Sequence, residues 1–149
     1  MSSESQAPST VSQSRRVLII ESDTVSADTL AALVEEDGHT TQMAADAKTA
    51  LLMLNEFDPH LVLLGTYLAD MPGYELTSIL RDAPQFSGKF RRLALLYVAD
   101  RDKIVKHRMF GAPDIPMSRY IFKPIDHVEV HEKIARELTK YDIQNPEPN

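Results

Sequence analysis

Five short apolar runs punctuate the chain, and between them apolar residues recur at helical spacing. The first run, RVLII at residues 16–20, is rich in branched side chains and stops at the acidic Glu21. Such a run predicts a strand buried on both faces. From Val25 to Glu36, Ala27, Leu30, Ala31 and Val34 fall on one helical face, with Asp23 or Thr24 where a cap is needed and Gly38 after the end. TTQMA (40–44) alternates weakly, as a half-buried strand does. Residues 47–56 place Ala47, Ala50, Leu51 and Leu54 on one face of a second helix, which Asp58-Pro59 breaks. LVLL (61–64) predicts a third strand, residues 74–82 a short helix ending near Pro84, and LALLYV (93–98) a fourth strand reached through a polar loop. Residues 101–110 predict a fourth helix, GAPDIPMS (111–118) a loop, and RYIF (119–122) a fifth strand stopped by Pro124. Asp126 is positioned to cap a fifth helix running to about Lys140, with Val130, Ile134 and Leu138 at i, i+4 and i+8.

Five strands alternating with five helices predict an α/β fold: a five-stranded parallel sheet covered on both faces and, through right-handed crossovers, doubly wound. Chemistry on such sheets gathers at the carboxyl ends of the strands. The residues there are Glu21-Ser22-Asp23, Gly65, Tyr97-Val98 and Lys123-Pro124.

Composition narrows the function. With 149 residues the chain suits one domain, here expected over residues 16–140. The net charge of -6 disfavours a nucleic-acid partner, and the small basic cluster of Lys89, Arg91 and Arg92 reads as a solvated loop. The absence of cysteine excludes disulfides, thiolate catalysis and zinc-thiolate sites. No apolar run is long enough for a membrane span, and the Ser-rich start has no secretory pattern, so a cytoplasmic protein is expected. Residues 1–15 and 141–149 are polar enough to be predicted as disordered tails.

The strand ends resemble the receiver domain of bacterial response regulators, over residues 16 to about 140. MPGYEL, the eight-residue interval from Gly65 to Gly73, and FKP all stand in that family's register. The resemblance implies a CheY-like, flavodoxin-like (βα)5 fold of strand order 2-1-3-4-5, with a cis Lys123–Pro124 bond. It aligns the family's acidic pair with Glu21-Ser22, its phosphorylated aspartate with Gly65, its hydroxyl residue with Tyr97 and its loop proline with Ala69, and keeps its Lys-Pro as Lys123-Pro124. In the family, the aspartate attacks a phosphoryl group that Mg²⁺ and the lysine neutralise. Gly65 has no side chain, and one carboxylate of the acidic pair is missing. The expectation is therefore a pseudo-receiver: no aspartyl phosphorylation, no metal, no cofactor and no catalysis.

Further expectations follow from the same alignment. Neither Asp23 nor Asp70 is placed to replace the nucleophile. Lys123 is expected to pair with Glu21 or Asp23, and the Tyr97 ring to fill the space over Gly65. Tyr120 takes the position of the family's switch aromatic and is expected to be a fixed, half-buried edge-strand tyrosine. The resemblance implies a protein partner on the α4-β5-α5 face, formed by the fourth helix, fifth strand and last helix. The residues assigned to it are Lys106, His107, Met109, Phe110, Tyr120, His127 and His131. His127 and His131, four apart, read as a solvated helix face without a third metal ligand. A monomer or weak homodimer is expected. The alternatives are an atypical regulator phosphorylated at a relocated carboxylate and a small-molecule-binding domain, although G-x-G-x-x-G and G-x-x-x-x-G-K-[ST] are both absent.

Overall fold

Apolar runs without polar alternation require a sheet with helices on both sides, and the computed structural model, which describes residues 14–110 and 113–146, has that arrangement. Strands β1 (Arg16–Ile20), β2 (Thr40–Ala44), β3 (Leu61–Gly65), β4 (Ala94–Asp100) and β5 (Tyr120–Lys123) are all parallel, in the order β2-β1-β3-β4-β5. The helices are α1 (Thr24–Glu36), α2 (Ala47–Phe57), α3 (Gly73–Asp82), α4 (Pro84–Arg92), α5 (Ile104–Phe110) and α6 (His127–Gln144).

The two-residue period of the strands divides the core. Val17, Ile19, Leu61, Leu63, Leu96, Val98 and Ile121 pack on α1 and α6. Leu18, Ile20, Val62, Leu64, Leu95, Tyr97 and Tyr120 face the opposite way, onto α2, α3, α4 and α5. Asp46 and Asp126 cap α2 and α6 by accepting from the Thr49 and Glu129 backbone N–H groups. Gly38, after α1, takes φ +90°, a left-handed conformation that glycine adopts without strain.

The observed helices differ from the expected five in two places. The polar loop before β4 is a helix, α4, with Pro84 in its first turn and Phe86 buried against the core. Its Lys89 is not free in a loop but pairs with Asp58 at 3.0 Å. The last helix also runs past Lys140 to Gln144. The expected tails are thus shorter than the sequence suggested: buried Arg15 pairs with Asp142 at 2.6 Å, and Tyr141 sets an edge against the His60 ring. Tyr141 and Asp142 extend this helix because they find partners in the residues that lead into β3 and β1. Residues 1–13 and 147–149 of those tails, and 111–112 of the loop before β5, lie outside the described residues. With α4 inserted, the face expected from the fourth helix, fifth strand and last helix is here α5-β5-α6.

Candidate functional site

Parallel register brings the ends of β1, β3, β4 and β5 to one rim of the sheet. Ile20 pairs with Leu64, so Glu21 follows beside Gly65; Gly65 pairs with Val98, and Asp100 with Lys123. Gly65 does not have a positive φ, so the glycine serves space rather than a turn. The space is taken by Glu21. A Cβ built on Gly65 would lie 3.0 Å from Glu21 Oε1 and 3.2 Å from its Cδ.

Glu21 is buried, and two groups hold its carboxylate. Oε2 accepts from the Asp23 backbone N–H at 2.9 Å, and Oε1 lies 3.1 Å from Lys123 Nζ. The second contact is an ion pair rather than an aligned hydrogen bond. Asp23 Oδ2 stands 4.0 Å from the same ammonium. The Ser26 hydroxyl donates to Asp23, and this, with the nearby lysine, lowers its pKa. Lys123 thus pairs with Glu21, as expected, and the Lys123–Pro124 bond is cis.

The loop after β3 closes over this pair. The Ser22 hydroxyl donates to Ala45 C=O at 2.6 Å and accepts from the Ala69 N–H at 2.8 Å, tying the loop to the end of β2. Asp70 accepts from the Ala47 and Lys48 N–H groups, adding a second carboxylate cap to α2; those bonds lower its pKa. Gly73 is compelled by packing: a Cβ there would meet Gly65 O at 2.5 Å.

The rim does not fit Mg²⁺. An octahedral ion needs several free oxygens. Here Lys123 already neutralises Glu21, Ser22 is spent on two backbone partners, Gly65 supplies no oxygen, and the exposed carboxylate of Asp23 is bonded to Ser26 and faces the same lysine.

Beneath the rim, on the α3–α5 side, lies a buried aromatic cluster. The Tyr97 and Tyr120 rings stack with centroids 5.5 Å apart, and His107 meets both edge-on at 4.6 and 5.7 Å. His107 Nδ1 is 3.1 Å from the Tyr120 hydroxyl, while its Nε2 has no partner. Burial pushes its pKa down to about 4, so the ring is neutral at pH 7. Burial likewise raises the pKa of both tyrosines.

This is the architecture of a known family. The family model described as the response regulator receiver domain matches residues 17–135. The chain belongs to the response regulator receiver family. A CheY-like receiver domain protein from Methanospirillum hungatei superposes with a TM-score of 0.69 at 23% identity, covering 89% of this chain and all of that one. The signal receiver domain of an HD domain-containing protein from Pseudomonas fluorescens gives 0.71 at 20%, covering 88% of this chain and 99% of that one. An uncharacterized 76.5 kDa protein of Thiocystis violacea is 39% identical over 88 residues, which are 59% of this receiver but only 13% of that protein. An uncharacterized 14.6 kDa protein of Leptolyngbya boryana is 26% identical over 114 residues, 76% of this chain and 82% of that one. Among the described residues, no helix is long and apolar enough to cross a membrane.

Several expected placements in this receiver need correction. Tyr97 does not fill the space over Gly65. Its neighbour Val98 is the register partner of Gly65. One residue along a strand reverses the face. Tyr97 therefore points into the helix-covered core, its hydroxyl 3.5 Å from Thr77 Oγ1, at the border of a groove of about 540 Å³. Tyr120 is fully buried rather than half-buried, and His107 is fully buried too, so neither is available to a partner. The Lys133 ammonium donates to the Tyr120 carbonyl and lies 5.7 Å from the centre of the Phe122 ring. His127 and His131 lie on the α1 side of α6, away from α5, against Glu36 and Asp37. Of the expected partner residues, Lys106 and Met109 are exposed on α5; the Phe110 side chain lies outside the described residues. Sequence reasoning missed Val105 and Met117, apolar and exposed beside them.

Proposed function

We propose that this receiver is a pseudo-receiver: it is not phosphorylated, is not an enzyme, and works as a protein-interaction module in signal transduction. One observation carries the reading. The carboxylate of Glu21 lies over Gly65 and pairs with Lys123 at 3.1 Å, so the charge an incoming phosphoryl group would need is already satisfied from within. Two further carboxylates are committed elsewhere, Asp70 to the N-terminus of α2 and Asp23 to Ser26.

The partner surface we assign is the α5 side of the α5-β5-α6 face. Val105 and Met109 are 63% and 67% exposed there, and Met117 is 49% exposed before β5. Exposed apolar side chains beside the exposed cation of Lys106, with Lys103 near Asp100 and Arg101 over the Phe122 ring, suit an apolar partner segment that carries an acidic residue.

The test is incubation with acetyl phosphate and Mg²⁺ followed by intact-mass measurement. No phosphoryl adduct is expected, from the wild type or from Gly65→Asp, whose carboxylate would have to displace Glu21. A hydroxylamine-cleaved adduct on the wild-type chain, the mark of an acyl phosphate, would establish the relocated-carboxylate alternative instead.

A further inference from the structure

The seam between α1 and α6 carries a cluster outside the receiver rim. His127 Nε2 lies 3.2 Å from Glu36 Oε1, His131 Nε2 lies 3.4 Å from the same oxygen, and the two imidazole nitrogens are 2.9 Å apart. The three atoms form a nearly equilateral triangle. Tetrahedral ligands held ~2.05 Å from a zinc-like ion stand ~3.3 Å from one another, the size of this triangle to within a few tenths of an ångström.

The surroundings favour the metal-ready form of the ligands. Asp37 Oδ2 lies 2.5 Å from His131 Nδ1, so the carboxylate holds the proton on that nitrogen and leaves Nε2 with a free lone pair. A carboxylate behind an imidazole is the usual outer partner of a metal-bound histidine. Glu36 is the last residue of α1, and the negative end of that helix adds to its charge. The spacing of His127 and His131 puts both rings on one face across a single helical turn. Glu36 and His127 are each about 60% exposed, so an ion can enter from solvent and keep water on its open side. The donor set, two imidazoles and one carboxylate, suits Zn²⁺, Ni²⁺, Co²⁺ or Cu²⁺ and not Mg²⁺.

We propose that Glu36, His127 and His131 form a divalent transition-metal site, with Asp37 orienting His131, that clips the C-terminal end of α1 to the start of α6. The ion takes Nε2 of each histidine and Oε1 of the glutamate, with water in the fourth position. The ion replaces the contact between the two Nε2 atoms, each ring carrying its proton on Nδ1 when it ligates.

The competing histidines are few. His39 and His60 each accept a backbone N–H through Nδ1, and His107 is buried. Zinc titration of the untagged chain by calorimetry is therefore expected to show one equivalent, with a rise in melting temperature that Mg²⁺ does not produce. Substituting Co²⁺ is expected to give the visible absorption of a tetrahedral site. His131→Ala and the double variant His127→Ala/His131→Ala should abolish binding while leaving the far-UV circular dichroism unchanged, because both side chains lie outside the core. Asp37→Asn should weaken it ~10–100-fold while keeping the stoichiometry. Failure of the wild type to bind Zn²⁺ or Co²⁺ at micromolar concentration, or binding undiminished in the double variant, overturns the proposal.

Discussion

Placing one methyl group on Gly65 tests whether Glu21 occupies the emptied rim. In Gly65→Ala the new Cβ would lie 3.0 Å from Glu21 Oε1, inside ordinary contact. The carboxylate must give way, but the Asp23 N–H at 2.9 Å and the Lys123 ammonium at 3.1 Å restrain it. Overpacking of this kind costs ~1–3 kcal/mol, while losing the ion pair outright would set an upper bound of ~3–5 kcal/mol. Replacing glycine where φ is ordinary returns ~0.4–1 kcal/mol through the unfolded chain. The expected net loss is therefore ~1–2 kcal/mol. Glu21→Ala alone removes the main partner of Lys123 and is destabilising on its own. In the double variant the Cβ enters space that Glu21 has left, so the second substitution costs nothing or stabilises. The coupling between the two sites is expected to be at least ~1 kcal/mol, the double variant being more stable than the sum of the singles. Urea denaturation followed by far-UV circular dichroism measures it, a suitable probe because the chain has no tryptophan. Effects that add to within ~0.5 kcal/mol would refute the claim that Glu21 fills the space over Gly65.

Other outcomes are as definite. Because the folded state holds His107 neutral down to about 4, against an ordinary 6.5, the unfolded chain binds the extra proton between those values. Stability from this group is complete above pH 6.5 and is lost as pH falls toward 4, by at most ~3 kcal/mol; urea midpoints at several pH values should show that slope, and His107→Phe should reduce it, leaving the part due to His39 and His60, whose pKa values burial also lowers. Gly73→Ala puts a Cβ 2.5 Å from the Gly65 carbonyl, backbone that cannot rotate away, and is expected to cost ~3 kcal/mol or more by the same assay. Asp70→Ala should accelerate hydrogen exchange at the Ala47 and Lys48 amides and lower the melting temperature, with no change in behaviour toward acetyl phosphate.

The elements were legible because burial on both faces writes itself as unbroken apolar runs, and α1, α2 and α6 keep a 3.6-residue period. α4 was not, because Gly88 interrupts it and Lys89, Arg91 and Arg92 crowd its end; its signal was only Pro84 at the start and Phe86 and Phe90 four apart. At the rim, Glu21, Gly65 and Lys123 could be named from spacing, but the occupant of the space could not. Choosing between Tyr97 and Glu21 depends on strand register, and a shift of one residue from 98 to 97 moves a side chain from the Gly65 face of the sheet to the opposite one. The histidine pair was visible as a spacing, yet its partners Glu36 and Asp37 come from a helix some ninety residues earlier. Sequence distance hides such a cluster until the α1–α6 contact is known.

The proposed loss of phosphorylation also changes what the aromatic at position 120 can do. A two-state surface needs a ligand that favours one state, and a change without such a differential interaction has no driving force. Tyr120 is fully buried, stacked between Tyr97 at 5.5 Å and Phe122 at 6.0 Å, with its hydroxyl on His107. Swinging it outward would expose a large ring at ~1.5–3 kcal/mol and leave both nitrogens of a buried imidazole without partners. Arg101 lies over Phe122 at 4.4 Å and Lys133 bonds the Tyr120 carbonyl, so the edge of β5 is covered as well. With the rim neutralised by Glu21 and nothing to repay that cost, the inward state dominates by more than tenfold. A partner of the proposed kind, docking at Val105 and Met109, would then read one fixed surface. Its affinity should be the same with and without acetyl phosphate, and should fall on Met109→Asp while Tyr120→Phe leaves it unchanged.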